Sequence, residues 1–273
     1  MIRRNAHKYS ISAQCKVLGI SRGSYYYPAK GQQDEIHLAD EVQTAYENNR
    51  KLYGSRKLKV VLAEKGIIMS RRKICRIMKG RGLASAYSRQ KPYKSKGVNE
   101  AEIPNTLNRE FGSQKPLAAV VSDLTYVRVG YVWHYVCFLV DLHNREVIGH
   151  SSGRHKDARL VFRAFASIKS SLEKIQLFHT DRGREFDNRL IDEVLSTFKI
   201  KRSLSMKGCP YDNAVAEATF KILKTEFVHR HTFASESQLA LQLSDYVHWY
   251  NKHRIHQALG YLSPYAYKEK HAS

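Results

Sequence analysis

The sequence predicts an α/β protein, a mixed sheet flanked by helices and preceded by a helical N-terminal region. Three observations predict it. Residues 34–83 repeat their apolar side chains at helical spacing. From Leu117 the pattern switches to short β-branched and aromatic runs that alternate with helical stretches. The 273 residues carry 46 Lys and Arg against 25 Asp and Glu, and the resulting charge of +21 suits a polyanionic partner. Residues 1–110 alone hold 23 basic and 9 acidic side chains, so the N-terminal part is the one expected to grip it. Nucleic acid leads, with a basic ribosome-associated protein as the alternative that charge alone leaves open.

Taken in order, residues 10–28 read as two short helices with Gly19 at the turn and Ser21 as a cap, the pattern of a small helix-turn-helix. Pro28 and Lys30–Gln33 close it off. Ile36, Ala39, Val42, Ala45 and Tyr46 then form one helical stripe, Leu58, Val61 and Leu62 a second, and Ile74, Ile77 and Met78 a third. Ser70 is placed to cap the last of these helices, whose first turn is Arg71-Arg72-Lys73. A basic helix start of this kind suits phosphate contacts in a groove, and equally a solvated charged face. Residues 84–115 lose periodicity and read as a basic linker.

The β-rich part opens with a buried strand at 117–127, followed by strands at 132–141 and 146–150 joined by tight turns, a meander. A helix at 157–170 turns Ala158, Val161, Phe162, Phe165 and Ile168 inward. A strand at 175–179, a helix marked by Leu190, Val194 and Leu195, a strand at 200–203 and helices at 213–228 and 236–252 complete the chain. The order β-β-β-α-β-α-β-α belongs to an α/β domain with a mixed sheet.

No run reaches the roughly 18 apolar residues of a membrane span, and the N-terminus leads into no apolar signal segment, so a cytoplasmic protein with no membrane partner is expected. Cys15, Cys75, Cys137 and Cys209 show neither C-x-x-C pairing nor a His to complete a zinc set, and read as reduced thiols.

Chemistry is sought in the carboxylates. Asp123 lies inside an apolar strand, where an uncompensated charge is costly. Asp181 follows a strand directly, at the C-terminal edge where sheets of this kind place ligands. Glu217 sits on a helix between Ala216 and Ala218, small residues that permit close approach to the sheet. Converging, the three would suit two Mg²⁺ or Mn²⁺ ions, which bind a scissile phosphate, activate the attacking oxygen and stabilise the leaving one. Singly, each has an ordinary role: Asp181 capping a turn, Glu217 solvated, Asp123 paired with a core cation. Asp141, at the end of another apolar strand, competes by pattern. Trp249-Tyr250 with Lys252, His253 and Arg254 fits a distorted-DNA binder, though packing of the terminal helix is favoured.

The spacing of Asp123, 57 residues, Asp181, 35 residues and Glu217 resembles the DD(35)E signature of retroviral integrases and insertion-sequence transposases. The surrounding words, Ser122-Asp123-Leu124-Thr125-Tyr126, His179-Thr180-Asp181-Arg182-Gly183 and Lys207–Ala214 with Glu217, resemble the second-reading-frame (OrfB-type) transposases of the IS-three group. So do Tyr53–Lys57 and Arg76–Met78 upstream, and Tyr250-Asn251, Arg254, His256, Leu259 and Ser263-Pro264 downstream. Val120, Glu185 and Phe186 stand where that family often has Trp, Gln and Tyr; Glu185 adds a fourth carboxylate near Asp181.

The resemblance implies an RNase H-like five-stranded sheet, DDE-type cleavage and strand transfer at insertion-sequence ends, and Asp123, Asp181 and Glu217 as catalytic metal ligands. It also implies Lys224, two helical turns past Glu217, as a DNA contact, with a structural Lys on a solvated face as the alternative; it joins Arg71, Arg72 and Lys73 of the basic helix start. His179, two residues before Asp181 on the same strand face, either orients water or phosphate or is simply packed. The expected organisation is a short helix-turn-helix-like segment at 1–30, a helix-turn-helix DNA-binding domain at 31–85, a basic linker at 86–115, the catalytic domain at 116–230 and a C-terminal helical segment at 231–273. Expected partners are double-stranded DNA (element terminal repeats and target), an upstream OrfA-type subunit or frameshift fusion, and further copies of the chain on DNA. A nuclease or junction resolvase of the same fold, and a non-catalytic DNA-binding regulator or inactive transposase remnant, are the alternatives.

Overall fold

A computed structural model describes residues 2–26, 32–87, 115–205 and 214–271. The linker at 86–115, apart from its ends, and the Lys207–Asn213 stretch of the third motif lie outside the described residues, as does Cys209. Contacts divide the chain into two compact units, Met1–Ala84 and Ser85–Ser273.

Among its described residues the first unit holds helices and no strand. It begins with α1 (Ile2–Asn5), α2 (Ile11–Val17) and α3 (Arg22–Tyr26). Ser10 caps α2, its hydroxyl accepting from the Ala13 N–H at 3.2 Å, and Gly19 takes the left-handed conformation (φ 63°) that lets the chain turn into α3. Then come α4 (Gln32–Asn48), α5 (Ser55–Glu64) and α6 (Arg71–Gly80). Val42, Ala45, Leu58, Leu62, Ile74 and Met78 interlock as their common core. Ile36, placed in the same stripe by periodicity, is instead exposed, one turn too early to reach that core. Ser70 caps α6 as expected, accepting from the Lys73 N–H at 3.2 Å.

The second unit holds a five-stranded sheet of β1 (Ala119–Val129), β2 (Val132–Asp141), β3 (Val147–Gly153), β4 (Leu177–Thr180) and β5 (Lys201–Leu204), in the order β3-β2-β1-β4-β5. β1, β2 and β3 form the antiparallel meander, while β4 pairs parallel to β1 and β5 parallel to β4. The crossovers are α7 (Ala158–Ala166) and α8 (Arg189–Thr197). They cover one face with a core built on Val120, Leu139, Val161, Phe165, Phe178 and Ile191. Phe162, expected inward, points to solvent, because the apolar stripe of α7 is wider than the face that the sheet can cover. Gly149 is required under α7, since a Cβ there would run into the Ala164 carbonyl.

The helices α9 (Ala214–Glu226), α10 (Glu236–Lys252) and α11 (Pro264–Lys270) follow β5. α9 packs on β1 and α10 on β3. Phe138 of β2 stacks on Phe220 of α9 with ring centroids 5.4 Å apart. Trp249 and Tyr250 are buried, so the aromatic run of α10 is packing and not a DNA surface. Asn251 fastens α10 to the sheet edge, donating to the Val147 carbonyl and accepting from its N–H, both at 2.9 Å. No helix among the described residues is long and apolar enough to cross a membrane. Cys15, Cys75 and Cys137 are free thiols.

Candidate active site

Register sets the first two carboxylates side by side. Val121 of β1 pairs with His179 of β4, and counting two residues on along each parallel strand reaches Asp123 and Asp181. Both therefore emerge at the same level, Asp181 just past the C-terminal end of β4 and Asp123 part-way along the longer β1. Across the antiparallel ladder Asp123 faces Phe138, so the two side chains share a face. Since Phe138 stacks on Phe220 of α9, Asp123 is directed at the helix that carries Glu217. Asp123 and Glu217 line one cleft of about 360 Å³ together with Phe220, Lys221, Lys224 and Thr225.

Electrostatics report the same proximity. The Asp123 carboxyl is pushed up to about 6, chiefly by burial, with Asp181 and Glu217 adding like charge; the Leu124 N–H, donating to it at 2.7 Å, and Lys156 act the other way. The Glu217 carboxyl is raised by partial desolvation in the cleft. Asp181 has one oxygen, Oδ1, tied to the Gly183 N–H at 3.0 Å, which caps the turn after β4.

Since Asp123 holds its proton more firmly folded (about 6) than at its ordinary 3.8, its ionisation weakens the folded state. That weakening is absent below about pH 4, grows between about pH 4 and 6, and is complete above. Asp123→Asn is therefore expected to unfold at higher temperature than the metal-free parent at pH 7.5, by no more than about 3 kcal/mol. Thermal denaturation across pH should show the gain shrinking to nothing near pH 4.

The other candidates separate cleanly. Asp141 accepts from the Leu117 and His143 N–H groups, both at 3.0 Å, and so serves the turn after β2 rather than the cleft. His179 is fully buried, its Nδ1 2.9 Å from the Ser203 hydroxyl of β5, which makes it a packed strand histidine. Glu185 is also buried and forms a 2.8 Å ion pair with Lys156. Lys156 was not singled out from sequence: it lies in the polar loop before α7 and carried no pattern, yet its charge acts on Asp181 and Asp123 as well as on Glu185. Lys224, two turns along α9 from Glu217, has its Nζ 5.2 Å from the Tyr126 ring centroid and lines the cleft. Arg71, Arg72 and Lys73 form the first turn of α6, which holds no acidic residue, with both arginines exposed.

Three hard oxygen donors with mutual repulsion are a donor set that a divalent cation would relieve. As placed, no three acidic, His or Cys side chains among the described residues stand within one coordination sphere. Glu217 is exposed on α9.

Comparison with known proteins adds an independent line. Two family models described as "Integrase core domain" match residues 113–210 and 217–271, and one described as "HTH-like domain" matches residues 32–91. The chain is 32% identical over 269 residues to the insertion element IS600 uncharacterized 31 kDa protein of Shigella sonnei, covering 94% of this chain and 98% of that one. It is 28% identical to transposase InsF for insertion sequence IS3A of Escherichia coli K12, covering 98% and 97%. Among solved structures, the HTLV-2 integrase catalytic core domain in complex with magnesium is similar at 17% identity and a TM-score of 0.43, over 55% of this chain and 95% of that one.

Proposed function

Because this chain belongs to the insertion-sequence transposases that carry an integrase core, and its activity is DNA transposition, we propose that Asp123, Asp181 and Glu217 are the catalytic carboxylates. The observation that carries this is the equivalent placing of Asp123 and Asp181 on adjacent parallel strands, with Glu217 lining the same cleft as Asp123. Two Mg²⁺ or Mn²⁺ ions held there would supply Lewis acidity at the scissile phosphate. Asp123 and Asp181 fix the donor positions through the rigid sheet, while Glu217 completes the set from α9. Lys224 offers its ammonium to a DNA phosphate at the cleft mouth. Lys156 neutralises Glu185, which keeps that fourth carboxylate out of the donor set.

In this reading residues 116–230 form the catalytic domain and residues 31–85 the DNA-binding domain, with Arg71, Arg72 and Lys73 meeting phosphates. Arg71, Arg72 and Lys73 stand at the N-terminus of α6, where the helix dipole also favours an anion. The double variant R71A/R72A is expected to lower the slope of log affinity against log salt by about 1.8, since each lost phosphate contact removes about 0.9. Filter binding to duplex DNA over a salt series measures it; an unchanged slope would assign these arginines to a solvated face. The enzyme works on double-stranded element ends and target in the bacterial cytoplasm, as an oligomer assembled on DNA and with an upstream OrfA-type subunit or fusion.

The direct test is joining of labelled element-end DNA to a second duplex, with the upstream subunit supplied. Joined product that requires Mg²⁺ or Mn²⁺ supports the reading. DNA retention without cleavage or joining at any metal concentration would make the protein a regulator.

A further inference from the structure

Beside the cleft, the β1–β2 hairpin presents large aromatic side chains to solvent: Tyr126 is 57% exposed and Trp133 50%. Single exposed aromatics are common, but these two are organised. Tyr126 pairs with Tyr135 across the ladder and Trp133 with Arg128, which makes Tyr126 and Trp133 diagonal neighbours. Their rings meet edge to face, with centroids 5.1 Å apart at 89°. Cations flank both: the Arg128 guanidinium lies 5.8 Å from the Trp133 ring centroid, and the Lys224 ammonium 5.2 Å from that of Tyr126. The hairpin is braced from below, the Gly130 N–H donating to the Phe233 carbonyl at 2.8 Å. A groove of about 430 Å³ runs along it, lined by Tyr126, Arg128, Trp133, Lys224 and His229.

Resting on the transposase reading, the geometry points to Tyr126 and Trp133 as a stacking platform for an unpaired base of the DNA strand that enters the active site. Continuity identifies the occupant: Lys224 and His229 line both this groove and the cleft that holds Asp123 and Glu217. A strand whose phosphates follow Lys224 is thereby carried past the two rings. Charge agrees, because cations beside aromatic faces fit a polyanion with π-surfaces better than an apolar segment. Pairing is excluded because a duplex hides the faces of its bases, so only a base displaced from the helix can lie on the platform. No base sequence is preferred, since every base has a π-face.

The full chain is titrated with an element-end duplex bearing a single-stranded extension that carries a fluorescent aminopurine, with the same duplex made abasic in the extension, and with the blunt duplex. The parent protein is expected to quench the aminopurine and to bind the base-bearing extension about tenfold more tightly than the abasic one. Trp133→Ala should abolish that preference and the quench while leaving blunt-duplex affinity unchanged, which also shows that it is folded; Trp133→Phe should keep part of both. Equal preference and quench in Trp133→Ala would overturn the platform. So would loss of self-association by Trp133→Ala with its DNA preference intact, which would make the hairpin a contact between copies. A parent that joins DNA ends yet shows no extension preference refutes the platform alone, whereas a parent that binds the extension but never joins ends refutes the transposase reading.

Discussion

Arg254→Ala is expected to lose about 3–5 kcal/mol of stability, the cost of removing one partner from a buried ion pair. The Arg254 guanidinium, 4% exposed, donates from Nε to both oxygens of the Glu226 carboxylate at 3.1 and 2.8 Å, and from Nη2 to Oε1 at 2.8 Å. The same carboxylate accepts from the hydroxyls of Tyr87 at 2.6 Å and Tyr246 at 3.2 Å. Truncating the arginine leaves a charged group with no solvent to take over its hydrogen bonds. Lysine cannot reproduce the fork, so Arg254→Lys should recover little. R254M/E226L, which removes both charges, should cost markedly less than Arg254→Ala. Denaturant unfolding of the three variants measures this; a loss under about 1 kcal/mol for Arg254→Ala would mean that the pair is not isolated from water. The functional consequence runs through α9, because Glu226 anchors the C-terminal end of the helix that offers Glu217 and Lys224 to the cleft.

Asp181→Asn and Glu217→Gln are each expected to lower strand transfer by at least about a thousandfold, equivalent to about 4 kcal/mol of transition-state stabilisation. An amide matches the carboxylate in shape but lacks the charge that holds a divalent cation against its hydration. In Asp181→Asn the amide oxygen can still accept from the Gly183 N–H, so the turn after β4 survives and the loss is chemical. DNA affinity should stay near the parent's, because the phosphate contacts proposed above fall to Lys224, Arg71, Arg72 and Lys73, which these variants leave in place. Gel assays of joined product, at protein concentrations that saturate the DNA, separate the two quantities. Activity within tenfold of the parent in either variant would remove that residue from the catalytic set.

Much of this was legible in the sequence where local pattern and tertiary environment agree. β2 at Val132–Asp141 and α10 at Glu236–Lys252 lie where periodicity placed them, because each buries the stripe its sequence presents. β3 runs on to Gly153, further than its Ser and Gly content suggested, because pairing as far as Tyr135↔Gly153 overrides propensity. α11 was missed: Pro264–Lys270 is short and half polar, and only the Ser263 cap before Pro264 marked it. Asp123, Asp181 and Glu217 could be singled out through their DD(35)E-like spacing and the words around them, since by strand and helix pattern alone Asp141 competed with them. Lys156 could not, since nothing in a polar loop tells which distant acids it will meet. Tyr126 and Trp133 become a pair only once the β1–β2 register is known, whereas the aromatic and basic run at Trp249–Arg254, conspicuous in sequence, is spent on packing α10 and holding Glu226.

If these carboxylates run DNA joining by holding metal, replacing one with a ligand of different softness should change which metal supports the reaction. Strand transfer by D181C is measured in Mg²⁺ and then in Mn²⁺, beside the parent and D181N. A thiolate is a poor ligand for Mg²⁺ and a better one for the softer Mn²⁺. The result predicted is that D181C is inactive in Mg²⁺ and recovers in Mn²⁺, while D181N stays inactive in both. D181C joining as well as the parent in Mg²⁺, or failing equally in both metals while D181N retains activity, would contradict it.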